Sequence, residues 1–554
     1  MRAAERRSQA IMNACARGIA PGLWVIILLT LVAPGAHASG PTGGWASFAR
    51  SASRVSVIEG CLPDLSLHAW ARTTDASGLA ITFHGQSGVV LSKDSVFAIG
   101  RVTPPGQGTQ WRLFCFSRDS GTPGWAAPIP APVLESWSSP CYDVRTASVY
   151  VASGSFVTCI NAQTGQQRWQ TPLGAPVVNA SPLVTDDLGH SNRLFITDFS
   201  TGGDGRLLCL NVDAFHAAQN PHQPGAIVWS AMIGSTSGNT PAYLSKREGG
   251  LGLVYVSTSG DFFFGPGELL AFPADASGTP APAFVAPNPE GHGYYGGVCV
   301  TSPASVGQDP ALYAASYHFW GGLFSSSLVR HNARTGELAW SIASNRTSTT
   351  PVPISGGYVL VSGGVSGFGS VPSITLYKDN ADHALRVWDS ALDSWIDANS
   401  NGVIDPGEYL RVGGWSIQPA CVIDQARRRV FVGVAPSGAS AYTPCAELLA
   451  VDYTRSPSMP GFVVASVEGV GASPAIDDGT MLSIGAQGLR GIGYPTSRYD
   501  VNADGRVSID DLYAWEQGVG VRDVNADGAI NETDRALLVS RLRAGEWAIG
   551  AYDG

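Results

Sequence analysis

The chain has 554 residues, of which 44% are hydrophobic and 14% charged, so it can bury the core of one large body and still hold a small module. Its 67 Gly and 36 Pro favour a β architecture with many turns over one with long surface helices. The formal net charge of -10 argues against nucleic acid or anionic lipid as a partner.

The N-terminus has the pattern of a secretory signal. Arg2, Arg6, Arg7 and Arg17 come before the apolar run LWVIILLTLVA at 23–33, and Ala36-His37-Ala38 follows that run. The run is shorter than the roughly 20 residues that span a bilayer, so a stable membrane anchor is not expected. The sequence predicts a signal peptide over 1–38 and bacterial-type export to the medium or the cell surface.

Eight cysteines remain beyond the predicted signal, in a compartment where disulfides can persist. Cys115, Cys159 and Cys209 occupy equivalent places in three similar segments, LFCFS, VTCIN and LLCLN. We interpret these three as small buried packing residues. The pairing of the other five stays open: Cys61, Cys141, Cys299, Cys421 and Cys445.

Residues 148–184 are the clearest copy of an internal repeat, with two β-rich runs, a Thr164-Gly165 turn, Trp169 and a closing Ser181-Pro182. Eight segments open in the same way, near residues 95, 148, 193, 253, 311, 357, 429 and 481. Four strands in each repeat of about 40 to 60 residues predict an eight-bladed β-propeller. The eighth copy is incomplete, and 66–90 ends like a blade without beginning like one, so we expect both termini to close the ring.

The stretches INAQTGQQRW at 160–169 and HNARTGELAW at 331–340 resemble the repeats of pyrroloquinoline-quinone-like (PQQ-like) propellers. The resemblance covers residues 44–492 and implies that the motif tryptophans pack between neighbouring blades. These tryptophans are Trp125, Trp169, Trp229, Trp340 and Trp388. Quinoprotein dehydrogenases look similar, but they need a cofactor pocket with calcium and, in many members, a disulfide between adjacent cysteines. No two cysteines are adjacent here, so PQQ is not the expected ligand.

The segment DANSNGVIDPGE at 397–408, here called the insertion loop, interrupts the sixth repeat and matches the EF-hand calcium loop at every specified position. Gly402 would make the sharp turn and Ile404 would pack behind the loop. The predicted calcium ligands are Asp397, Asn399, Asn401, the carbonyl of Val403, Asp405 and Glu408. An acidic surface turn without metal is the alternative interpretation.

Two further loops of the same kind stand near the C-terminus, twenty-three residues apart. The first terminal loop, 500–511, reads DVNADGRVSIDD, and the second, 523–534, reads DVNADGAINETD. Oxygen donors at positions 1, 3, 5, 7, 9 and 12 suit one hard cation in each loop. The predicted ligands are Asp500, Asn502, Asp504, the carbonyl of Arg506, Ser508 and Asp511, then Asp523, Asn525, Asp527, the carbonyl of Ala529, Asn531 and Asp534.

This duplicated loop and helix, with Asp at position 12, resembles a type I dockerin over residues 495–545, followed by a tail at 546–554. The resemblance implies two calcium ions and a cohesin domain as partner. Loop positions 10 and 11 would face the cohesin, and here they are Ile509 and Asp510 in one copy, Glu532 and Thr533 in the other. Both pairs depart from the Ser-Thr pair common in cellulosomal dockerins, which puts the identity of the partner in doubt.

Two classes of function follow from the sequence. The favoured one is a secreted, non-catalytic propeller that recognises a ligand and docks through calcium-dependent binding to a cohesin-bearing partner or cell surface. The alternative is an enzyme of polysaccharide breakdown, an O-glycosyl hydrolase, or less favourably a quinone-dependent dehydrogenase. Aromatic segments at 260–267, 292–297 and 318–322 are candidates either for binding carbohydrate or protein at the propeller face or for core packing.

Overall fold

The computed structural model describes residues 44–549 apart from 135, 262–264, 367–368, 425–426, 437–442, 505–506 and 526. The predicted signal peptide therefore lies outside the described residues, as do Arg506, most of the predicted tail and the three phenylalanines at 262–264. Gly40–Gly554 is one compact unit.

The strands form eight sheets that follow one another along the chain. The first two strands are β1 (Val57–Glu59) and β2 (His68–Arg72). Blade one contains β3 (Thr82–Phe83), β4 (Val90–Leu91), β5 (Ser95–Val102), β6 (Gln110–Ser117) and β7 (Pro123–Pro128). Blade two contains β8 (Cys141–Asp143), β9 (Ser148–Ser153), β10 (Phe156–Asn161) and β11 (Gln167–Pro172). Blade three contains β12 (Leu183–Val184), β13 (Arg193–Thr197), β14 (Ser200–Asn211) and β15 (Ile227–Thr236).

Blade four contains β16 (Ala242–Tyr243), β17 (Leu253–Ser257), β18 (Glu268–Pro273) and β19 (Phe284–Pro287). Blade five contains β20 (Val298–Thr301), β21 (Ala311–Ala315), β22 (Ser326–Asn332) and β23 (Leu338–Ser344). Blade six contains β24 (Val352–Ile354), β25 (Tyr358–Gly363), β26 (Ser373–Asp379) and β27 (Ala384–Asp389). Blade seven contains β28 (Ala420–Asp424), β29 (Arg427–Gly433), β30 (Glu447–Asp452) and β31 (Val463–Glu468). Blade eight contains β32 (Ala472–Asp477), β33 (Thr480–Gly485) and β34 (Gly488–Ile492).

The fold is mainly β, an eight-bladed propeller of four-stranded blades, as the repeats predict. Every repeat-opening segment lies next to the inner strand of its blade, and neighbouring strands within a blade are antiparallel. In blade one the inner strand is divided into β3 and β4, which both pair with β5. One expectation was wrong. The insertion loop does not interrupt blade six but follows its last strand, because β27 ends at Asp389 and β28 begins at Ala420.

Both termini close the ring, as predicted. Strand β2 pairs antiparallel with β34 and supplies the fourth strand of blade eight. The buried Trp70 of β2 donates its indole N–H to the carbonyl of Arg118 in blade one, at 2.9 Å. A Cβ at Gly121 would lie only 2.3 Å from this indole, so only glycine allows the indole to pack there. Blade eight is thereby joined to blade one.

The same contact recurs at three of the five motif tryptophans. Trp169 and Trp229 also pack between blades, although Trp229 Nε1 has no hydrogen-bond partner among the described residues. An outer-strand indole donates to the next blade in three further places: Trp125 to Ala162 O (3.1 Å), Trp340 to Asp379 Oδ1 (2.9 Å) and Trp388 to Tyr453 O (3.1 Å). Each indole buries apolar area and satisfies its single donor in the same contact. The hydrophobic clusters accordingly lie between blades.

Trp70→Ala is expected to destabilise the whole propeller, since it leaves a cavity at the seam where the ring closes. We expect the free energy of unfolding to fall by about 3 to 5 kcal/mol, as for other buried Trp-to-Ala changes. Urea unfolding followed by circular dichroism measures this. Trp320→Ala, at an indole that is 66% exposed, is the matched control and should change stability little.

The closing Ser-Pro motifs form hydrogen bonds from blade to blade at the start of the inner strands. The amide of Gly88 donates to Ser139 Oγ (2.8 Å), that of Ser139 to Ser181 Oγ (2.9 Å) and that of Ser181 to Thr240 Oγ1 (3.1 Å). Each motif residue thus accepts from the preceding blade and donates to the next. This reciprocity explains why the repeats end alike.

The segment from Trp45 to Glu59 crosses the blades near the axis. Its carbonyls accept inner-strand amides of five blades: Trp45 from Leu91 (2.8 Å), Ala46 from Tyr142 (2.7 Å), Ala52 from Tyr243 (2.8 Å), Ser53 from Val300 (3.0 Å) and Ser56 from Cys421 (2.8 Å). Strand β1 then pairs parallel with β28. The chain therefore fills one end of its own central channel before blade one begins.

Two helices follow the propeller, α1 (Ile509–Glu516) and α2 (Glu532–Ile549), each entered from one terminal loop. They share a small core of Tyr499, Val501, Trp515, Val524 and Leu538. Arg541 donates to the carbonyl of Leu62 at 3.5 Å, and Arg498 pairs with Asp119 at 3.2 Å. This C-terminal module, residues 495–549, is thus in contact with blade one and with the segment between β1 and β2. It also contacts blade eight, where Thr496 N–H donates to Asp478 O at 3.1 Å.

All eight cysteines from Cys61 to Cys445 are free thiols. Cys115, Cys159 and Cys209 are buried, as predicted for packing residues, and burial raises the pKa of Cys159 to about 11. Within the described residues, no helix is both long and apolar enough to cross a bilayer.

Candidate functional site

The three EF-hand-like loops have the same hydrogen-bond pattern at position 1. There the aspartate Oδ1 accepts the backbone N–H of position 5: Asn401 to Asp397 (3.0 Å), Asp504 to Asp500 (3.0 Å) and Asp527 to Asp523 (3.1 Å). The glycine at position 6 donates to the other oxygen in two loops, Gly402 to Asp397 (2.9 Å) and Gly528 to Asp523 (2.8 Å). Both glycines have a positive φ, which the sharp turn requires.

Position 12 closes each loop in the same way. Asp511 accepts the amides of Asn502 (3.2 Å) and Ser508 (2.7 Å), while Asp534 accepts those of Asn525 (3.2 Å) and Asn531 (3.0 Å). In the insertion loop, Glu408 accepts the amides of Asn399 and Asp405, both at 3.4 Å. The carboxylate at position 12 therefore connects positions 3 and 9 in all three loops.

Asp511 and Asp534 are fully buried, at 0% exposure. Among the described residues, no Lys, Arg or His forms an ion pair with either of them. A buried carboxylate without an opposite charge costs several kcal/mol, even with its backbone hydrogen bonds. The terminal loops thus each hold a negative charge for which a cation would be a favourable partner.

The asparagines and the other acidic residues complete the donor set. Asn399 and Asn401 donate their side-chain amides to Asp405 Oδ2, at 2.9 and 2.7 Å, and these hydrogen bonds lower the pKa of Asp405. Asn502 and Asn525 donate likewise to Asp504 and Asp527, at 3.2 and 2.9 Å. Within the described part of the chain, no three His, Cys, Asp or Glu side chains form a metal-holding group. A cation here would also need Asn and backbone carbonyl oxygens, which EF-hand loops use.

The residues predicted to face a partner lie at the surface of the C-terminal module. Ile509, Asp510, Glu532 and Thr533 are all exposed, in the first turns of α1 and α2. The side chain of Ser508 caps α1 by accepting the amide of Asp510, so loop and helix are one continuous unit. The carbonyl-bearing residues Val403 and Ala529 are also exposed.

Two loops that lead into inner strands, together with the β21–β22 loop of blade five, form an aromatic cluster at one end of the central channel, here called its mouth. Trp137 and Trp415 meet edge to face with ring centroids 5.5 Å apart, and Tyr317 contacts Trp415 at 5.7 Å. Trp137 precedes blade two and Trp415 precedes blade seven, so blades eight and one lie between them. This contact therefore spans the mouth. The buried Arg346 lies over Tyr317, at 5.6 Å.

The aromatic residues of the segments 292–297 and 318–322 differ in their burial. Tyr294 and Tyr295 are buried, which favours core packing for 292–297, whereas Trp320 is exposed. His292 and His318 stack with centroids 4.4 Å apart. Burial, and then the neighbouring His318, lower the pKa of His292.

Sequence reasoning missed the two tryptophans at the mouth. A signal was present, because both stand just ahead of a closing motif, in Trp137-Ser-Ser-Pro140 and Trp415-Ser-Ile-Gln-Pro419. It also missed Arg54, which is fully buried near the axis and which no repeat or motif marks.

Residues 109–216 match the protein family described as outer membrane protein assembly factor BamB. No curated protein matches the chain. Among solved structures, a quinohemoprotein alcohol dehydrogenase from Pseudomonas putida HK5 is similar at 11% identity and a TM-score of 0.50, covering 81% of this chain and 76% of that one. A europium-containing methanol dehydrogenase is similar at 10% identity and a TM-score of 0.50, covering 80% of this chain and 90% of that one. The fold is therefore that of a PQQ-like β-propeller.

Proposed function

We propose that this protein is a secreted, non-catalytic propeller scaffold whose C-terminal module is a calcium-dependent dockerin for a cohesin-bearing partner or cell surface. The observation that carries the proposal is the duplicated loop and helix, in which both loops have the same hydrogen bonds at positions 1 and 12. The buried carboxylates of Asp511 and Asp534, which form no ion pair with any described residue, support a cation in each loop.

The donor chemistry suits calcium in the terminal loops. Carboxylate, amide and carbonyl oxygens are the ligands of a hard cation, and the EF-hand positions hold them here. Among its described side chains, the small core of the module has five buried hydrophobic residues. A module of about fifty residues is marginal without further stabilisation, so bound ions would contribute to its folding.

The insertion loop is proposed as a third calcium site with a structural role. It has the same hydrogen bonds as the terminal loops, and Glu408 also accepts the indole N–H of Trp395 at 3.2 Å. It belongs to the connection that carries Trp415 to the mouth of the channel. Calcium would stiffen this connection.

The quinone-dependent alternative is compatible with the fold, since two dehydrogenases of this kind are similar in structure, but it is not the function we favour. A planar cofactor stacked between side chains needs about 3.5 Å on each face, or about 7 Å between the flanking ring planes. Trp137, Trp415 and Tyr317 already contact one another across the mouth, and residues 45–59 lie across the inner strands below. We take these contacts as support for the scaffold over the quinone-dependent alternative. The glycoside hydrolase alternative rests on the association of dockerins with such enzymes.

Calorimetric titration of calcium into the chelator-stripped mature protein tests the proposal. We expect three ions per chain, one from each loop. Pull-down on immobilised cohesin domains should then succeed with calcium and fail with chelator. A chain that binds no calcium, or that binds cohesin equally well in chelator, would contradict the proposed function.

A further inference from the structure

The exposed faces of α1 and α2 are related by the internal duplication, and their chemistry differs. The exposed residues of α1 and its C-cap are Ile509, Asp510, Tyr513, Glu516 and the capping Gln517. Spacings of one, four, seven and eight residues place them on one side of the helix. Ile509 is 47% exposed and Tyr513 57%, so this side presents an apolar surface to solvent.

Four of the five equivalent positions of α2, twenty-three residues later, carry no large apolar side chain, and the fifth, Val539 in the place of Glu516, is half-buried. Ile509 corresponds to Glu532, Asp510 to Thr533, Tyr513 to Ala536 and Gln517 to Ser540, and all four residues of α2 are exposed. The backbone is repeated, since both loops and both capping carboxylates have the same hydrogen bonds. The two copies therefore share the same backbone structure, but their exposed side chains differ.

A partner that recognises one face would not accept the other. Rotating the module to exchange the two helices would put Glu532 in the place of Ile509, and would bury a carboxylate against an apolar surface. It would also replace Tyr513 by Ala536 and lose an aromatic anchor, a residue type enriched among interface hot spots. The two faces therefore cannot serve as equivalent docking surfaces.

We infer that the module docks in one orientation only, with the α1 face of Ile509, Asp510 and Tyr513 against the partner. This rests on the proposed function. The occupant is a cohesin domain whose docking surface is apolar at its centre and basic at its edge. Charge complementarity supports the basic edge, because the exposed Asp510 borders Ile509 on the α1 face, whereas Glu516 is already paired with Arg535 of α2 at 2.9 Å.

The test measures the affinity of the full mature chain and its variants for each cohesin domain encoded in the same genome, at saturating calcium. Tyr513→Ala should weaken the dissociation constant at least about tenfold, as expected of an interface anchor. The matched variant Glu532→Ala should leave it within about twofold. Both variants should bind the same number of calcium ions as the unaltered chain, which controls for folding of the module.

A transplant makes the test stricter. Adding Glu532→Ile and Ala536→Tyr to Tyr513→Ala should restore binding, because it rebuilds the apolar face on α2. Equal losses from Tyr513→Ala and Glu532→Ala, or a loss from Glu532→Ala alone, would overturn the single orientation while keeping the dockerin. Failure of every cohesin domain to bind the unaltered chain would instead overturn the proposed function. Sedimentation of the free chain as a dimer that Tyr513→Ala dissociates would assign the face to self-association and overturn the inference.

Discussion

Replacing Arg54 by Met is expected to lower the free energy of unfolding of the propeller by about 3 to 5 kcal/mol, the range for breaking a buried charged network. Arg54 is completely buried and donates to four backbone carbonyls and one hydroxyl. These are Pro241 O (2.9 Å), Phe48 O (2.9 Å), Ser181 O (3.1 Å), Pro182 O (3.1 Å) and Ser47 Oγ (3.2 Å). Methionine keeps much of the side-chain volume and leaves these acceptors without a donor.

The physical role of Arg54 is to tie the N-terminal segment to the entry loops of blades three and four. Burial lowers the pKa of the guanidinium to about 10, so it stays charged at neutral pH and keeps all its donors. Its acceptors lie up to 187 residues away in sequence, so their loss should loosen the ring.

Urea unfolding at neutral pH, followed by circular dichroism, measures the effect of Arg54→Met. The matched control is Arg334→Met, at a guanidinium that is 58% exposed and pairs with Asp309, where a change below about 1 kcal/mol is expected. Equal midpoints for Arg54→Met and the unaltered chain would show that the N-terminal segment is not a stabilising part of the propeller.

Local patterns in the sequence were enough to predict the fold. The eight opening segments, the Trp at the end of the motif and the incomplete eighth copy each depend on residues close together in the chain. In the structure, the opening segments are strands next to the inner strands, and the tryptophans make contacts between blades. The incomplete eighth copy is completed by β2. Repetition strengthens such predictions, because each blade buries its hydrophobic faces against two neighbouring blades in the same way.

The contents of the channel could not be predicted in the same way. Arg54 and the Trp137–Trp415 contact join residues far apart in sequence, and they occur once rather than eight times. The position of the insertion loop was misjudged for a related reason. Only the end of β27 at Asp389 shows that blade six is complete before the loop begins.

The three loops predicted to bind calcium lie between these two cases. Their ligand spacing is local and was read directly from Asp500, Asp523 and Asp397, whereas the burial of the closing carboxylates appears only in three dimensions. Asp511 and Asp534 are buried because Trp515, Val524 and Leu538 pack next to the loops. Because a buried carboxylate is costly without an opposite charge, the burial of these two side chains favours a cation in each terminal loop.

Asp534→Ala is expected to remove one calcium ion from the calorimetric count and to lower the affinity of the second terminal loop at least about a hundredfold. The side chain of position 12 is the ligand that encloses the ion, and here its oxygens also hold the amides of Val524 (2.8 Å) and Asn531 (3.0 Å). Its loss takes away both a charged ligand and the closure of the loop. Asp511→Ala should do the same to the first terminal loop.

The matched control is Asp510→Ala. It removes the same charge from the residue next to Asp511, but there the side chain is exposed. Its calcium count should not change, since exposed charges act weakly through solvent. The thermal transition of the propeller should be the same in all three variants, because Arg54 and the indoles between blades hold it together without the module. If Asp534→Ala and Asp510→Ala bound calcium alike, the terminal loops would not be the binding sites. If Asp534→Ala unfolded the propeller as well, the module would be an integral part of the ring rather than an appendage that docks.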